Sequence, residues 1–185
     1  MHRIIAFVIA SGLVFAGSET PTVTNFHQIN TNLYRGAQPT PQEFQSLAHF
    51  GIKTVIDLRH EDDHIRKEKK IVEAAGMRYI NIPMSGLAAP SDQQVARALS
   101  IMNDPASGPV FIHCRRGADR TGTVVACYRV SHDQWSNDKA LGEARSFGMS
   151  WTERAMRGYV LHYHAPAADP AATPTSVGVP AVAIR

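Results

Sequence analysis

The chain has 185 residues, 44% hydrophobic and 19% charged, which suits one folded domain with tails. A net charge of +3 is too mild to imply a nucleic-acid partner. No basic run exceeds Arg66-Lys67-Glu68-Lys69-Lys70, which reads as a solvated helix face.

Met1-His2-Arg3 is a short basic start, and Ile4 to Ala16 is almost wholly apolar. With Gly17-Ser18 offering a small-residue cleavage point, residues 1–18 read as a secretory signal peptide, too short to span a bilayer comfortably. The expected location is the periplasm or the outside of the cell, with no stable membrane span. The competing reading is an uncleaved N-terminal membrane anchor. Glu19 to Asn25 reads as a polar linker, residues 26–164 as the folded domain, and residues 165–185, rich in Ala, Pro, Thr and Val without a period, as a disordered tail.

Within the domain, Phe26–Ile29 and Asn32–Arg35 read as two short strands joined at Asn30-Thr31. Thr40-Pro41-Gln42-Glu43 is a capping box with Pro at the first helical position, and its helix ends near Gly51. Lys53–Leu58 is a buried strand. A second helix carries Ile65, Ile71, Val72 and Ala75 and closes at Gly76. Met77–Ile82 is the next strand, stopped by Pro83. Ser91-Asp92-Gln93-Gln94 opens a helix that buries Val95, Ala98, Leu99 and Met102 at i, i+3, i+4, i+7 spacing. Ser136 caps a helix bearing Leu141, Ala144 and Phe147. Ser150-Trp151-Thr152-Glu153 is read as one more capping box, before a helix with Met156, Tyr159 and Val160. Trp135 and Trp151 are expected to pack internally. Strands alternating with helices imply an α/β fold: a central, mainly parallel sheet of about four to five strands flanked by helices.

The stretch richest in chemistry follows Val110-Phe111-Ile112. His113-Cys114-Arg115-Arg116-Gly117-Ala118-Asp119-Arg120-Thr121-Gly122 runs from a buried strand through a tight polar loop into a helix that begins near Arg120. A loop wrapped onto a helix N-terminus aims backbone N–H groups at one point and binds oxyanions. Arg120 can add a two-pronged contact to phosphate oxygens. The same field lowers a cysteine pKa from ~8.5 to roughly 3.5–7.5, and such a thiolate can attack phosphorus. Thr121 can offer its hydroxyl to the sulfur. Cys127 lies two turns along that helix, ~9 Å beyond Thr121 at 1.5 Å per residue. That exceeds the reach of a disulfide to Cys114, about 7 Å between Cα atoms.

His113-Cys114-x5-Arg120-Thr121-Gly122 resembles the signature loop of the cysteine-dependent protein tyrosine phosphatase superfamily, closest to its dual-specificity branch. Leu33-Tyr34-Arg35-Gly36-Ala37-Gln38-Pro39 and Gly51-Ile52-Lys53-Thr54-Val55-Ile56-Asp57-Leu58-Arg59 look like the opening of small bacterial, plant and fungal members. The resemblance covers about residues 26–163. It implies a dual-specificity phosphatase-like fold and hydrolysis of phosphomonoesters, phosphotyrosine, phosphoserine or phosphothreonine, through a phosphocysteine on Cys114. Residues 115–120, namely Arg115, Arg116, Gly117, Ala118, Asp119 and Arg120, would hold the phosphate, with His113 and Thr121 in support. No cofactor and no metal is expected; His162 and His164 stand two apart on a helix and point different ways. The expected partner is a phosphorylated protein or a small anionic phosphoester. The alternatives are an inositol phosphate or phosphoinositide phosphatase of the same mechanism, and a phosphate-recognising pseudophosphatase.

Members of this superfamily usually take the leaving-group proton from an aspartate on a loop before the cysteine. Here Met84–Pro90 contains no Asp or Glu. Asp119 is one candidate, because some bacterial relatives with broad phosphoamino-acid and phosphoinositide activity carry Asp at that place. Asp92 is the other, although an Asp in a first helical turn also serves the helix dipole. Water or an acidic leaving group is the third possibility. Asp57 and Arg59 read as a structural ion pair, and Tyr34-Arg35 as packing residues within reach of substrate.

Overall fold

A computed structural model describes residues 19–60 and 63–165. Residues 1–18, read as a signal peptide, and all but the first residue of 165–185, read as a disordered tail, lie outside the described residues.

The elements are β1 (His27–Asn30), β2 (Leu33–Gly36), α1 (Pro41–Phe50), β3 (Thr54–Asp57), α2 (Asp63–Ala74), β4 (Arg78–Asn81), α3 (Asp92–Asn103), a 3-10 turn (Pro105–Ser107), β5 (Val110–His113), α4 (Asp119–Ser131), α5 (Asn137–Ser146) and α6 (Arg154–Leu161). The five strands form one sheet in the order β1-β2-β5-β3-β4. Only β1 runs antiparallel, as the hairpin partner of β2. β5 is central, paired in parallel with β2 and β3.

Successive strand side chains point to opposite faces, so a strand covered on both sides reads as an unbroken apolar run. Phe111 and Val55 pack with Phe44 and Leu47 of α1 and Val72 of α2. Val110, Ile112 and Ile56 pack on the other face with Val95, Leu99 and Met102 of α3 and Val124, Val125 and Tyr128 of α4. Gly36 has to be glycine: a Cβ there would come within 2.8 Å of the Phe111 ring.

The predicted caps at Thr40, Ser91 and Ser136 form, and Gly51 closes α1 at φ 110°. The one at Ser150 does not. Its hydroxyl is taken by Thr152, as hydrogen-bond partner at 2.7 Å and from the Thr152 N–H at 3.2 Å, and α6 begins after Glu153 without a side-chain cap. Trp151 is 74% exposed rather than packed. Trp135 is half-buried, with Lys139 Nζ 3.7 Å and the Arg129 guanidinium 4.6 Å from its ring centre. The segment read as a linker also packs: Val23 joins Tyr34 and Phe111 in the core. No described helix is long and apolar enough to cross a membrane.

A buried charge cluster ties the carboxyl ends of β3 and β5 to α2. Arg59 is bound to Asp57 at 2.7 Å, as expected, and also to Glu68 at 2.6 Å. The other Glu68 oxygen is 3.2 Å from His113 Nε2, and the Tyr79 hydroxyl donates to Asp57 at 2.7 Å. Burial favours a neutral imidazole, but Asp57 and Glu68 outweigh it and raise the His113 pKa above 6.5. Burial likewise opposes the Asp57 carboxylate, yet His113 and Arg59 hold its pKa down at about 2.

Stabilisation by His113 is therefore complete below pH 6.5 and is lost as pH rises through its raised folded value. That from Asp57 is present above pH 3.8 and is lost only as pH falls through about 2. Glu68→Gln should cost about 3 kcal/mol at pH 6. It should also flatten the decline in wild-type stability above pH 6.5 in urea unfolding run at stepped pH. An equally steep decline in the variant would show that His113 is not charged by Glu68.

Candidate active site

β5 ends by delivering His113 and Cys114, both buried, at the carboxyl edge of the sheet. This is where parallel α/β folds place ligands. The loop then turns through Gly117 at φ 66°, where a Cβ would run into the Gly36 carbonyl. Helix α4 starts at Asp119 with no side-chain cap on its first N–H groups, and its positive end faces the loop.

Burial alone pushes the Cys114 thiol up. The Thr121 hydroxyl and N–H, the Arg120 charge and the Gly117 N–H outweigh it and bring the pKa below the ordinary value. The Thr121 hydroxyl is buried without a hydrogen-bond partner, and it favours the Cys114 thiolate. The Arg120 Nη1 donates to the Met84 carbonyl at 3.5 Å, which ties the guanidinium to the 84–90 loop. Cys127 is also free and buried, but burial pushes its thiol up. It packs in the core as an apolar residue.

Three residues to which sequence reasoning assigned no role at the loop clamp it, Arg35 among them as more than a packing residue. The Asn25 amide donates to the carbonyls of Arg116 (3.3 Å), Gly117 (3.2 Å) and Phe147 (3.1 Å). Arg35 donates to the Gly117 carbonyl at 2.6 Å. The Gln38 N–H donates to the Arg115 carbonyl, and its amide donates to Glu68 at 3.1 Å. A polar stretch before β1 carried no signal for Asn25, since its reach across the chain is a matter of tertiary packing.

The acid candidates are placed differently. Asp119 sits at the first position of α4, with Oδ2 accepting from Arg116 at 2.6 Å and Oδ1 accepting from the Ser150 N–H at 2.9 Å. Asp92 accepts from the Tyr159 hydroxyl at 2.7 Å and lines a groove with Ala96, Tyr159, His162 and Tyr163. The structure thus joins Asp92 to α6 and Asp119 to the cysteine loop. Arg115 and Arg116 are exposed at the rim. Leu87, on the acid-free loop, is 83% exposed.

Asp57, Glu68 and His113 could offer a metal three donor atoms within 4.8 Å of one another. The Arg59 guanidinium already stands between both carboxylates, so the cluster has its cation.

The family model described as DSP-PTPase phosphatase fused to NAD+ kinase matches residues 14–157. Inositol diphosphatase DSP3 of Arabidopsis thaliana is 28% identical over 136 residues, covering 71% of this chain and 66% of that protein. The core catalytic domain of the PP-IP phosphatase SIW14 from S. cerevisiae, solved with citrate, superposes with a TM-score of 0.68 at 26% identity, over 77% of this chain and 86% of that one. P. aeruginosa TpbA, solved as a cysteine-to-serine form with phosphotyrosine, superposes with a TM-score of 0.64 at 27% identity, over 77% and 85%. The chain spans 66% and 55% of the length of the first two curated relatives. With the signature loop in its strand-loop-helix setting and a family model covering most of the chain, this protein belongs to the DSP-PTPase family of cysteine-dependent phosphatases.

Proposed function

We propose that the protein hydrolyses phosphomonoesters through a phosphocysteine on Cys114, with phosphorylated tyrosine, serine or threonine side chains as the substrate class. The observation that carries this is the buried Cys114, its pKa lowered by Thr121, Arg120 and Gly117, at the uncapped N-terminus of α4. The phosphoryl group sits over the loop, its oxygens held by the amides of residues 115–120 and by Arg120. Cys114 Sγ attacks phosphorus, the P–S bond forms, and the bond to the leaving oxygen breaks. That oxygen departs with a proton. Water then attacks phosphorus, a P–O bond forms, and the P–S electrons return to Sγ, where Thr121 stabilises the departing thiolate. Inorganic phosphate leaves.

Asp119 is the proton donor in this reading, being the carboxylate the loop itself carries. Both its oxygens already accept N–H groups. Donation therefore requires that one contact, most readily that of the exposed Arg116, be given up. A second reading, cleavage of an inositol diphosphate, is favoured by the acid-free Met84–Pro90 loop, since a phosphate leaving group needs little protonation. The exposed Arg115 suits such a polyanion too. The solved neighbours support one reading each: TpbA is solved with phosphotyrosine, and SIW14 is named a PP-IP phosphatase. Residues 1–18 are read as an export signal from their basic start and apolar run, which sets the substrate outside the cytosol.

Cys114→Ser should abolish turnover of 4-nitrophenyl phosphate while vanadate still binds. A variant turning over at the wild-type rate would remove Cys114 as nucleophile. Activity of the wild type on phosphopeptides but not on an inositol diphosphate, or the reverse, selects between the two substrates. For the acid, aryl phosphates of graded leaving-group pKa are the measurement. Asp119→Asn should slow the poorest leaving groups by roughly 10²–10⁴-fold and the best hardly at all. An even loss across the series would reassign Asp119 to holding Ser150 and Arg116.

A further inference from the structure

Arg35 is fully buried at 0% exposure, and packing alone does not explain a cation there. It leaves β2, beside β5, and reaches beneath the phosphate loop. Its Nη2 donates to the Gly117 carbonyl, and its guanidinium carbon is 4.5 Å from the Phe147 ring centre. Nε and Nη1 have no hydrogen-bond partner. No carboxylate pairs with Arg35 among the described residues. Glu143, the carboxylate that acts on it most, is held by Arg129 through three contacts of 2.7–3.1 Å. Burial brings the Arg35 pKa down to about 10, which leaves it a cation at neutral pH.

A buried charge with neither an ion-pair partner nor a full set of hydrogen bonds is strongly destabilising. A leucine or methionine would fill the same space without that cost, so an anion has to offset it. After Glu143, which Arg129 already holds, the negative group that favours the charged form of Arg35 is the Cys114 thiolate. Gly117 joins the two, with its carbonyl on Arg35 and its N–H on Cys114 Sγ.

We propose that Arg35 is a positioning residue of the phosphate loop: it holds Gly117 so that the N–H meets Cys114, and from beneath it supplies buried positive charge that the thiolate and the bound phosphoryl group offset. The groups around Cys114 come from five elements and the loop. They are His113 of β5, with Glu68 of α2 and Asp57 of β3 behind it; Arg115 and Arg116 of the loop; Asp119 and Arg120 of α4; and Arg35 of β2. The His113 charge is matched by Glu68 and that of Arg116 by Asp119. Among the described residues, Arg35, Arg115 and Arg120 are the cations here without a carboxylate partner. Arg35 is the one wholly closed to solvent, where charge acts most strongly.

The inference rests on the phosphatase reading only for its turnover arm, because alkylation reads the thiolate without a substrate. The experiment follows iodoacetamide modification of Cys114 against pH by peptide mass spectrometry, beside kcat on 4-nitrophenyl phosphate. Arg35→Met should move the alkylation midpoint up by about one pH unit and lower kcat by about tenfold or more. Arg35→Lys keeps a cation but loses the fork that grips Gly117. It should hold the midpoint near the wild-type value while kcat still falls about tenfold. A folded Arg35→Met with an unchanged midpoint, or Arg35→Lys with wild-type kcat, would overturn the proposal. If Arg35→Met does not fold, the lysine variant alone decides. If the wild type turns over no phosphomonoester, the phosphatase reading fails while the midpoints still judge the role of Arg35.

Discussion

A thiolate at Cys114 has to stay ionised at a position where burial favours the neutral thiol, and the field that keeps it so is assembled from separate parts of the chain. Helix α4 contributes Thr121 and Arg120, and the loop contributes the Gly117 N–H, on a residue whose carbonyl Arg35 of β2 holds. Desolvation of a nearly closed sulfur opposes them, and together they bring the pKa below that of a free thiol.

The same requirement explains why charge is buried so densely at this end of the sheet. Loop carbonyls have to turn away from the anion, and they are collected underneath: Gly117 by Arg35 and Asn25, Arg116 by Asn25, and Arg115 by the Gln38 N–H. His113 is fixed by Glu68, which is fixed in turn by Arg59 and Gln38. The cluster anchors the residue before the nucleophile to β3 and α2. A loop built of exposed, flexible residues could not hold donors within the few tenths of an ångström that such a site demands.

The acid is where this loop departs from the superfamily's usual plan. Met84–Pro90 approaches the site through the Met84 carbonyl on Arg120 but carries no carboxylate. Asp119 is on the loop yet already serves two N–H groups, one of which, Ser150, holds the segment ahead of α6 against α4. Its position therefore has a structural use independent of proton transfer.

Much of the fold was legible in the sequence because its signals are local. The caps at Thr40, Ser91 and Ser136, the glycine stops and the i, i+3, i+4, i+7 spacing in α3 each depend on neighbours within one or two turns. The run from Cys114 to Arg120 was legible for the same reason: one strand-loop-helix unit brings them together. Two local signals misled. Ser150 has the residues of a capping box but spends its hydroxyl on Thr152, and an apolar Trp151 faces solvent. Sequence alone could not show Asn25, Arg35 and Gln38 under the loop, Glu68 on His113, or Asp92 turned to Tyr159. Those partners lie 30 to 92 positions apart. The chain by itself determined which atoms could do the chemistry, because that depends on residue type and short-range spacing. The tertiary structure decided which buried charges surround them, because burial and long-range pairing exist only once the sheet has brought β2, β3 and α2 against β5.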